Sequence, residues 1–377
     1  MDPVSPSGYS TIGGFPFQIE AISDLFDETE LMVPIRATPL PSGARPLRGH
    51  NLHILPLKEP FGEDTRRKIS LLFWLPRNLP RIWGEIRKAE AVHTPVPGDI
   101  GTIGILVALV LRKPLFVRHC GTWGEPATLA DRFLLLLLQR IAGRRNVVMA
   151  TGGADTLPCR KNQAIRWIFS TTLSKRDMSA IPPNRPWRSG QSLKLVTVGR
   201  LSQSKNTAAV IQALALVRKK YPLVSLDVVG DGVCLHDLRR LTHQLDLVDA
   251  VTFHGNVSHK EVMKILGNGH LFVFPTQVKE GFPKAVLEAL VCGLPVIATA
   301  ISVIPYLIEN RSGIHLKETG PKTVARAILQ LVVDPERLAE MSMNARQTAV
   351  GFTLERWRDL IGERLRAAWG PLRQDKR

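Results

Sequence analysis

The chain has 377 residues, 44% of them apolar and 22% charged, which excludes a disordered or fibrous polymer and is long for a single core, so two domains are expected. Fifty basic residues against 33 acidic ones leave a net charge of +17, which favours anionic partners such as phosphates, acidic lipid surfaces or nucleic acid without choosing among them. The four cysteines are isolated and no apolar run reaches the roughly 18 residues of a spanning helix, so neither a cysteine metal site nor a membrane-embedded chain is expected.

Met1–Ser10 is rich in Pro and Ser and has no basic start followed by an apolar core, so no signal peptide is expected. Gly13-Gly14 then precedes an expected helix over Phe17–Leu25. Strands are predicted at Glu30–Val33, Asn51–Leu55, Ala91–Thr94, Leu115–Arg118, Val147–Ala150 and Ala164–Phe169. Helices are predicted at Ile69–Lys88, Ile100–Leu111 and Thr128–Ala142. The basic excess is uneven: Arg36 to Lys88 holds eleven Lys or Arg against four Asp or Glu. The apolar stretch Arg132–Ile141, followed by Arg144 and Arg145, reads either as a core helix or as an interfacial one.

Residues 1–180 therefore form one α/β domain, and 181–192, rich in Pro, Arg, Ser and Gly, a linker. In 193–350 strands and helices alternate at short intervals: strand Leu193–Val198, helix Asn206–Lys220, strand Val224–Val229, helix Leu235–Leu245, strand Val251–His254, helix Lys260–Leu266, strand Leu271–Phe274, helix Pro283–Val291, strand Val296–Ala298. Such alternation predicts a parallel sheet covered on both faces, with ligands beyond the carboxyl ends of its strands. A basic helix over Thr353–Trp369 lies in the last segment, 351–377, which is expected to pack back toward the first domain.

Two loops carry chemistry. After strand Leu271–Phe274 comes Glu280-Gly281-Phe282-Pro283-Lys284, with Glu288 further on. Pro283 suits a helix's first turn, and the unpaired N–H groups there suit a diphosphate. Gly281 allows close approach of the main chain, Lys284 adds charge, Glu280 could accept from sugar hydroxyls, and Glu288 could reach a ribose diol. After strand Leu193–Val198, Gly199-Arg200-Leu201 and Lys205 present two cations to the same crevice, one able to fork onto phosphate oxygens and one a point charge.

Val198-Gly199-Arg200-Leu201 with Lys205, Gly230-Asp231-Gly232, Phe253-His254-Gly255, Glu280-Gly281-Phe282-Pro283 with Glu288 after seven intervening residues, and Gly293-Leu294-Pro295-Val296 together resemble the family 4 (group 1) glycosyltransferases. The resemblance implies a GT-B fold, two Rossmann-like domains facing across a cleft, and retaining transfer from a UDP- or GDP-sugar without metal or other cofactor. It implies that Arg200 and Lys205 hold the donor diphosphate, that Glu280 holds the sugar in a loop shaped by Gly281, Phe282 and Pro283, and that Glu288 binds the ribose. In the first half, His119 in Arg118-His119-Cys120-Gly121 resembles the family's histidine near the donor sugar, and Gly13 and Gly14 its glycine loop. His93 and Asp99, at the end of another strand, are candidates for the acceptor side.

The family's opening strand before the glycine loop is missing from Met1–Ser10. The acceptor is expected to be a glycan or a lipid-linked molecule of cell-surface polysaccharide or lipopolysaccharide synthesis. The protein is expected in the cytoplasm, with peripheral contact at an anionic inner membrane face left open. Two alternatives also stay open: a sucrose- or glycogen-synthase-like enzyme with a soluble or polymeric acceptor, and a truncated, non-catalytic nucleotide-sugar binder. Nucleic acid is set aside: three tyrosines and no basic-aromatic alternation leave nothing to stack bases.

Overall fold

The computed structural model describes residues 8–36, 44–62, 64–153, 156–182, 187–309 and 311–373. The chain divides into two compact units, the first Met1–Thr151 with Thr156–Thr172 and Leu354–Arg377, the second Gly152–Asp155 with Leu173–Thr353. This division differs from the one drawn on composition. Residues 173–180 go with the second unit although the Pro/Arg-rich stretch follows them, whereas the last segment goes with the first, toward which it is expected to pack.

The first unit runs β1 (Ser10–Thr11), α1 (Phe15–Ser23), β2 (Thr29–Ile35), β3 (Arg45–Pro46), β4 (Leu52–Lys58), α2 (Asp64–Lys88), β5 (Val92–Val96), α3 (Asp99–Val110), β6 (Leu115–His119), α4 (Leu129–Ile141), β7 (Asn146–Thr151) and β8 (Arg166–Ile168). Its parallel strands fall into two sheets, β2 beside β4 and β5-β6-β7-β8, while β1 pairs with β3, antiparallel. Met1–Ser7, within the stretch where an opening strand is missing from the sequence pattern, lies outside the described residues.

Successive steps β5 to β6 to β7 move one way across the sheet, so right-handed crossovers put α3 and α4 on one face. Trp74, Ile82 and Ile86 of α2 join Ile105 of α3 and Leu134 and Leu138 of α4 in one buried cluster, so α2 lies in that same layer. α4 starts on a capping box, Thr128 accepting from the Asp131 N–H while the Asp131 carboxylate accepts from the Thr128 N–H.

The second unit begins with α5 (Lys175–Ala180) and continues β9 (Leu193–Val198), α6 (Thr207–Arg218), β10 (Val224–Val229), α7 (Leu235–Gln244), β11 (Val251–Gly255), α8 (His259–Gly267), β12 (Leu271–Phe274), α9 (Lys284–Val291), β13 (Val296–Thr299), α10 (Ile304–Leu307), β14 (Gly313–Leu316), α11 (Pro321–Val332) and α12 (Pro335–Ala349). The final helix, α13 (Leu354–Trp369), packs on α1 within the first unit and buries Trp357.

All strands of the second unit are parallel, in the order β11-β10-β9-β12-β13-β14. β12, Leu271-Phe272-Val273-Phe274, is buried along its whole length, as a strand covered on both faces must be. From β9 the chain steps outward through β10 to β11, then returns to the other side of β9 and steps outward through β13 to β14. The order therefore reverses between β9 and β12, the position beyond the strands' carboxyl ends at which open parallel sheets take their ligands.

Candidate functional site

Both chemistry-bearing loops leave the sheet at this reversal. Gly199 to Asn206 follows β9 and Pro275 to Pro283 follows β12. They are tied together by backbone and side-chain bonds. The Gln277 N–H donates to Ser204 O at 2.8 Å, Gln277 Nε2 donates to Thr319 Oγ1 at 3.0 Å, and Asn206 Nδ2 donates to Thr319 O at 2.8 Å. Asn206 adopts φ of 58°, a left-handed conformation in which asparagine is among the few tolerated residues and which turns the loop into α6. Gly230, φ 127°, passes so close to Gly199 that a Cβ would strike the Gly199 carbonyl oxygen. The Leu201 N–H, next in that loop, donates to Asp231 O at 2.9 Å.

Within this frame the Lys205 ammonium forms an ion pair with Glu280 Oε1, and its Nζ stands 5.1 Å over the Phe274 ring. Burial, followed by the nearby Arg200 charge, holds the Lys205 pKa below the ordinary lysine value. Arg200 itself is exposed. One partly desolvated cation is thus paired with a carboxylate while a second, exposed cation stands near it, a setting that gains from an anion of higher charge.

The Glu280 loop is held from its other side by Ser302, whose hydroxyl donates to the Glu280 carbonyl oxygen. Phe282 is buried and its ring lies 6.0 Å from that of Phe352. Pro283 corrects the sequence reading: it is the N-cap of α9, with ψ of 94°, and the helix begins at Lys284. The proline still leaves the helix start without a side-chain cap, and Lys284 beside it is exposed; the Val286 N–H donates to the Pro283 carbonyl oxygen at 3.1 Å. Gly281 sits between the ion-paired Glu280 and the buried Phe282, half-buried itself.

Glu288 is on the first turns of α9 and largely buried, its Oε1 3.0 Å from His259 Nε2 at the start of α8. That histidine was invisible to sequence reasoning, because it lies 29 positions away on another helix. Beside Glu288, burial pushes the Cys292 thiol up to about 12, so this cysteine is an inert packing residue.

In the first unit, His119 is the last residue of β6 and is buried. Its ring meets Trp123 edge-on at 5.1 Å, and Nδ1 has no hydrogen-bond partner among the described residues. Burial pulls its pKa below the ordinary histidine value, so the imidazole is neutral near pH 7. Gly13, φ 82°, has open space where a Cβ would be, and Gly14 is the N-cap of α1.

His93 does not end a strand. It is the second residue of β5, its ring stacked on Phe116 at 4.4 Å and its Nδ1 3.1 Å from the Phe116 carbonyl oxygen. Burial and the Arg118 charge bring its pKa to about 3, so it packs the sheet as a neutral ring. Asp99 opens α3 and pairs with Arg67 at 2.8 Å. Sequence reasoning also missed Arg118, which is buried without a carboxylate among the described residues. Its Nη1 donates to Gln18 Oε1 at 2.7 Å and its guanidinium lies 5.1 Å over the Trp357 ring. Among the described residues no cluster of three or more His, Cys, Asp or Glu could hold a metal ion.

Residues 184–348 match the family model described as glycosyl transferases group 1. The chain is 29% identical over 168 residues to the GDP-mannose-dependent alpha-(1-6)-phosphatidylinositol monomannoside mannosyltransferase of Mycobacterium tuberculosis, covering 43% of this chain and 44% of that protein. It is 31% identical over 228 residues to a phosphatidylinositol N-acetylglucosaminyltransferase subunit of Homo sapiens, covering 56% and 47%. The chain thus matches less than half the length of both relatives. Among solved structures it is similar to Anabaena Alr3699/HepE in complex with UDP, with a TM-score of 0.69 and 18% identity over 94% of this chain and 96% of that one.

Proposed function

We propose that this chain, whose residues 184–348 match the group 1 glycosyl transferases and whose two Rossmann-like units have the GT-B fold, transfers a sugar from a UDP- or GDP-sugar to a lipid-linked or glycan acceptor with retention of anomeric configuration. The observation that carries the reading is the Lys205–Glu280 pair at the strand-order reversal. Two cations and an uncapped helix start converge there on the place a diphosphate would take, and a carboxylate stands next to the place of its sugar. In this reading Arg200, Lys205 and Lys284 neutralise the departing nucleoside diphosphate, work that a divalent metal does in other transferases. Glu280 accepts from sugar hydroxyls once the diphosphate has taken over Lys205. Glu288, oriented by His259, accepts from the ribose diol.

Positive charge held in a partly dry crevice stabilises the leaving group more than it does in bulk water, because the local dielectric is lower. The reading of the acceptor draws on the relatives, one named for a phosphatidylinositol monomannoside and one for a phosphatidylinositol. His119, neutral and with a bare Nδ1, is proposed to meet the donor sugar, and Gly13 and Gly14 the donor phosphates.

The test is donor hydrolysis and transfer with UDP- and GDP-sugars, offering phosphatidylinositol mannosides, oligosaccharides and simple hexoses as acceptors. One donor should be turned over by the parent chain, Glu280→Ala should lower the rate by at least about a hundredfold, and proton NMR of the product should show the donor's anomeric configuration. An inverted product, or a variant as active as the parent, contradicts the proposal.

A further inference from the structure

α2 has two apolar faces. One is buried through Trp74, Ile82 and Ile86, as in any surface helix. On the opposite side Ile69, Leu72, Phe73 and Trp83, spaced to fall on a single stripe of a 3.6-residue helix, face water together with Pro76 and Pro80. Leu72 is 72% exposed and Phe73 62%. α4 repeats the pattern: above its buried Leu134, Leu135 and Leu138 it exposes Leu129 (78%), Phe133 (60%) and Leu136 on one stripe. α3 lies in the same layer and exposes Leu106 and Val110.

An ordinary surface helix puts polar residues on its outward face. Here nine large apolar side chains stand on the outward faces of three helices that share one layer, more than scattered surface exposure accounts for. The charge around them is mostly positive: Glu85 of α2 is paired with Lys88, Asp99 of α3 with Arg67, and Asp131 is held in the cap of α4. Every exposed charged side chain described on α2 and α4 is a cation: Arg66, Lys68, Arg77, Arg81, Arg87 and Lys88 on the first, Arg132 and Arg140 on the second. Among the described residues no helix is long and apolar enough to cross a bilayer.

We propose that the outward face of α2, α3 and α4 is a docking surface for an anionic lipid bilayer, with the apolar stripes entering the headgroup boundary and the flanking Arg and Lys reaching lipid phosphates. Long cationic side chains beside an apolar stripe can keep their charges at the headgroups while their stems lie along the apolar surface. A protein partner would need a complementary acidic and apolar patch, whereas a bilayer meets the whole layer with one chemistry. The inference deepens the proposed function, resting on it for a lipid-linked acceptor, and its test does not depend on turnover.

The full chain is sedimented at low salt with vesicles of phosphatidylglycerol and phosphatidylcholine in equal parts, and with phosphatidylcholine alone. The parent chain should bind the anionic vesicles and largely ignore the neutral ones. The double variant Leu72→Ser/Phe73→Ser should lose about tenfold in partitioning. Lys68→Gln/Arg77→Gln should lose several-fold at low salt, with the difference fading as salt screens the charges. Val233→Ser/Val333→Ser, which removes exposed apolar residues of the second unit, should bind as the parent does. Thermal melting and UDP or GDP binding, measured on every variant, report folding and the donor site separately, so a failed donor site leaves the membrane result standing. The proposal is overturned if the parent chain ignores anionic vesicles, if the α2 apolar variant partitions as the parent does, or if the parent is a dimer that Leu72→Ser/Phe73→Ser turns into a monomer.

Discussion

His93 shows how one buried ring sets a pH dependence. In the unfolded chain a histidine takes a proton below about pH 6.5, whereas in the folded chain burial and the Arg118 charge hold His93 neutral down to about 3. A folded-state value below the unfolded one means that the unfolded chain binds more protons between those limits, so stability falls as pH falls through that window. The contribution is complete above about pH 6.5 and lost by about pH 3, on the order of 5 kcal/mol over the whole window. His93→Phe, which keeps the stack on Phe116, should flatten the decline of melting temperature between pH 7 and pH 4. An unchanged slope would place the acid sensitivity elsewhere. At this scale the sequence is least informative: a histidine beside a proline and threonine reads as a strand end, and only the pairing of β5 with β6 puts its ring on Phe116. Arg118 of β6 and Gln18 of α1, 100 positions apart, also meet only in the folded chain.

Elements were more legible than residues. β9 and β10 lie where the sequence places them, because each is a short run rich in β-branched and apolar residues that stops at a glycine, Gly199 and Gly230. The turn Gly230-Asp231-Gly232 also keeps its meaning, since its glycines occupy φ of 127° and 158° against the β9 loop. Gly230→Ala would force a Cβ onto the Gly199 carbonyl and a left-handed backbone onto alanine. It should cost about 2 kcal/mol or more, read as an earlier unfolding transition in urea, and should weaken nucleotide binding through the displaced Arg200 loop. A variant that unfolds with the parent would mean that this turn is not what positions the loop. Less legible was the start of α9. A proline serves equally at N-cap or first turn by composition, and the backbone chose the cap. The sequence reading stopped before α10, β14, α11 and α12, where β14 forms the sheet edge and α11 packs on α6.

For the molecule as a whole, the alternation of strands and helices foretold two α/β halves, but strand order was not in the sequence. That order puts β12 beside β9, and thereby Glu280 on Lys205, although the two residues lie on loops 75 positions apart. The placement of α13 in the first unit, by contrast, is the one the sequence reading expects, and its packing against α1, β7 and β8 supplies the contacts. The net charge of +17 has a role in this account at two places, the donor corner and the outward layer of α2 to α4. The central claim is that the β9–β12 crevice binds a nucleoside diphosphate through Lys205, with Glu280 as the group displaced. Calorimetric titration of UDP and GDP into the parent chain, Lys205→Met and Glu280→Gln tests it most directly. The account predicts that one nucleotide binds the parent, that Lys205→Met weakens it at least about tenfold by removing a charge-assisted contact, and that Glu280→Gln binds it as well or better because the lysine no longer has to leave a carboxylate. Equal binding by all three chains, or tighter binding by Lys205→Met, would contradict it.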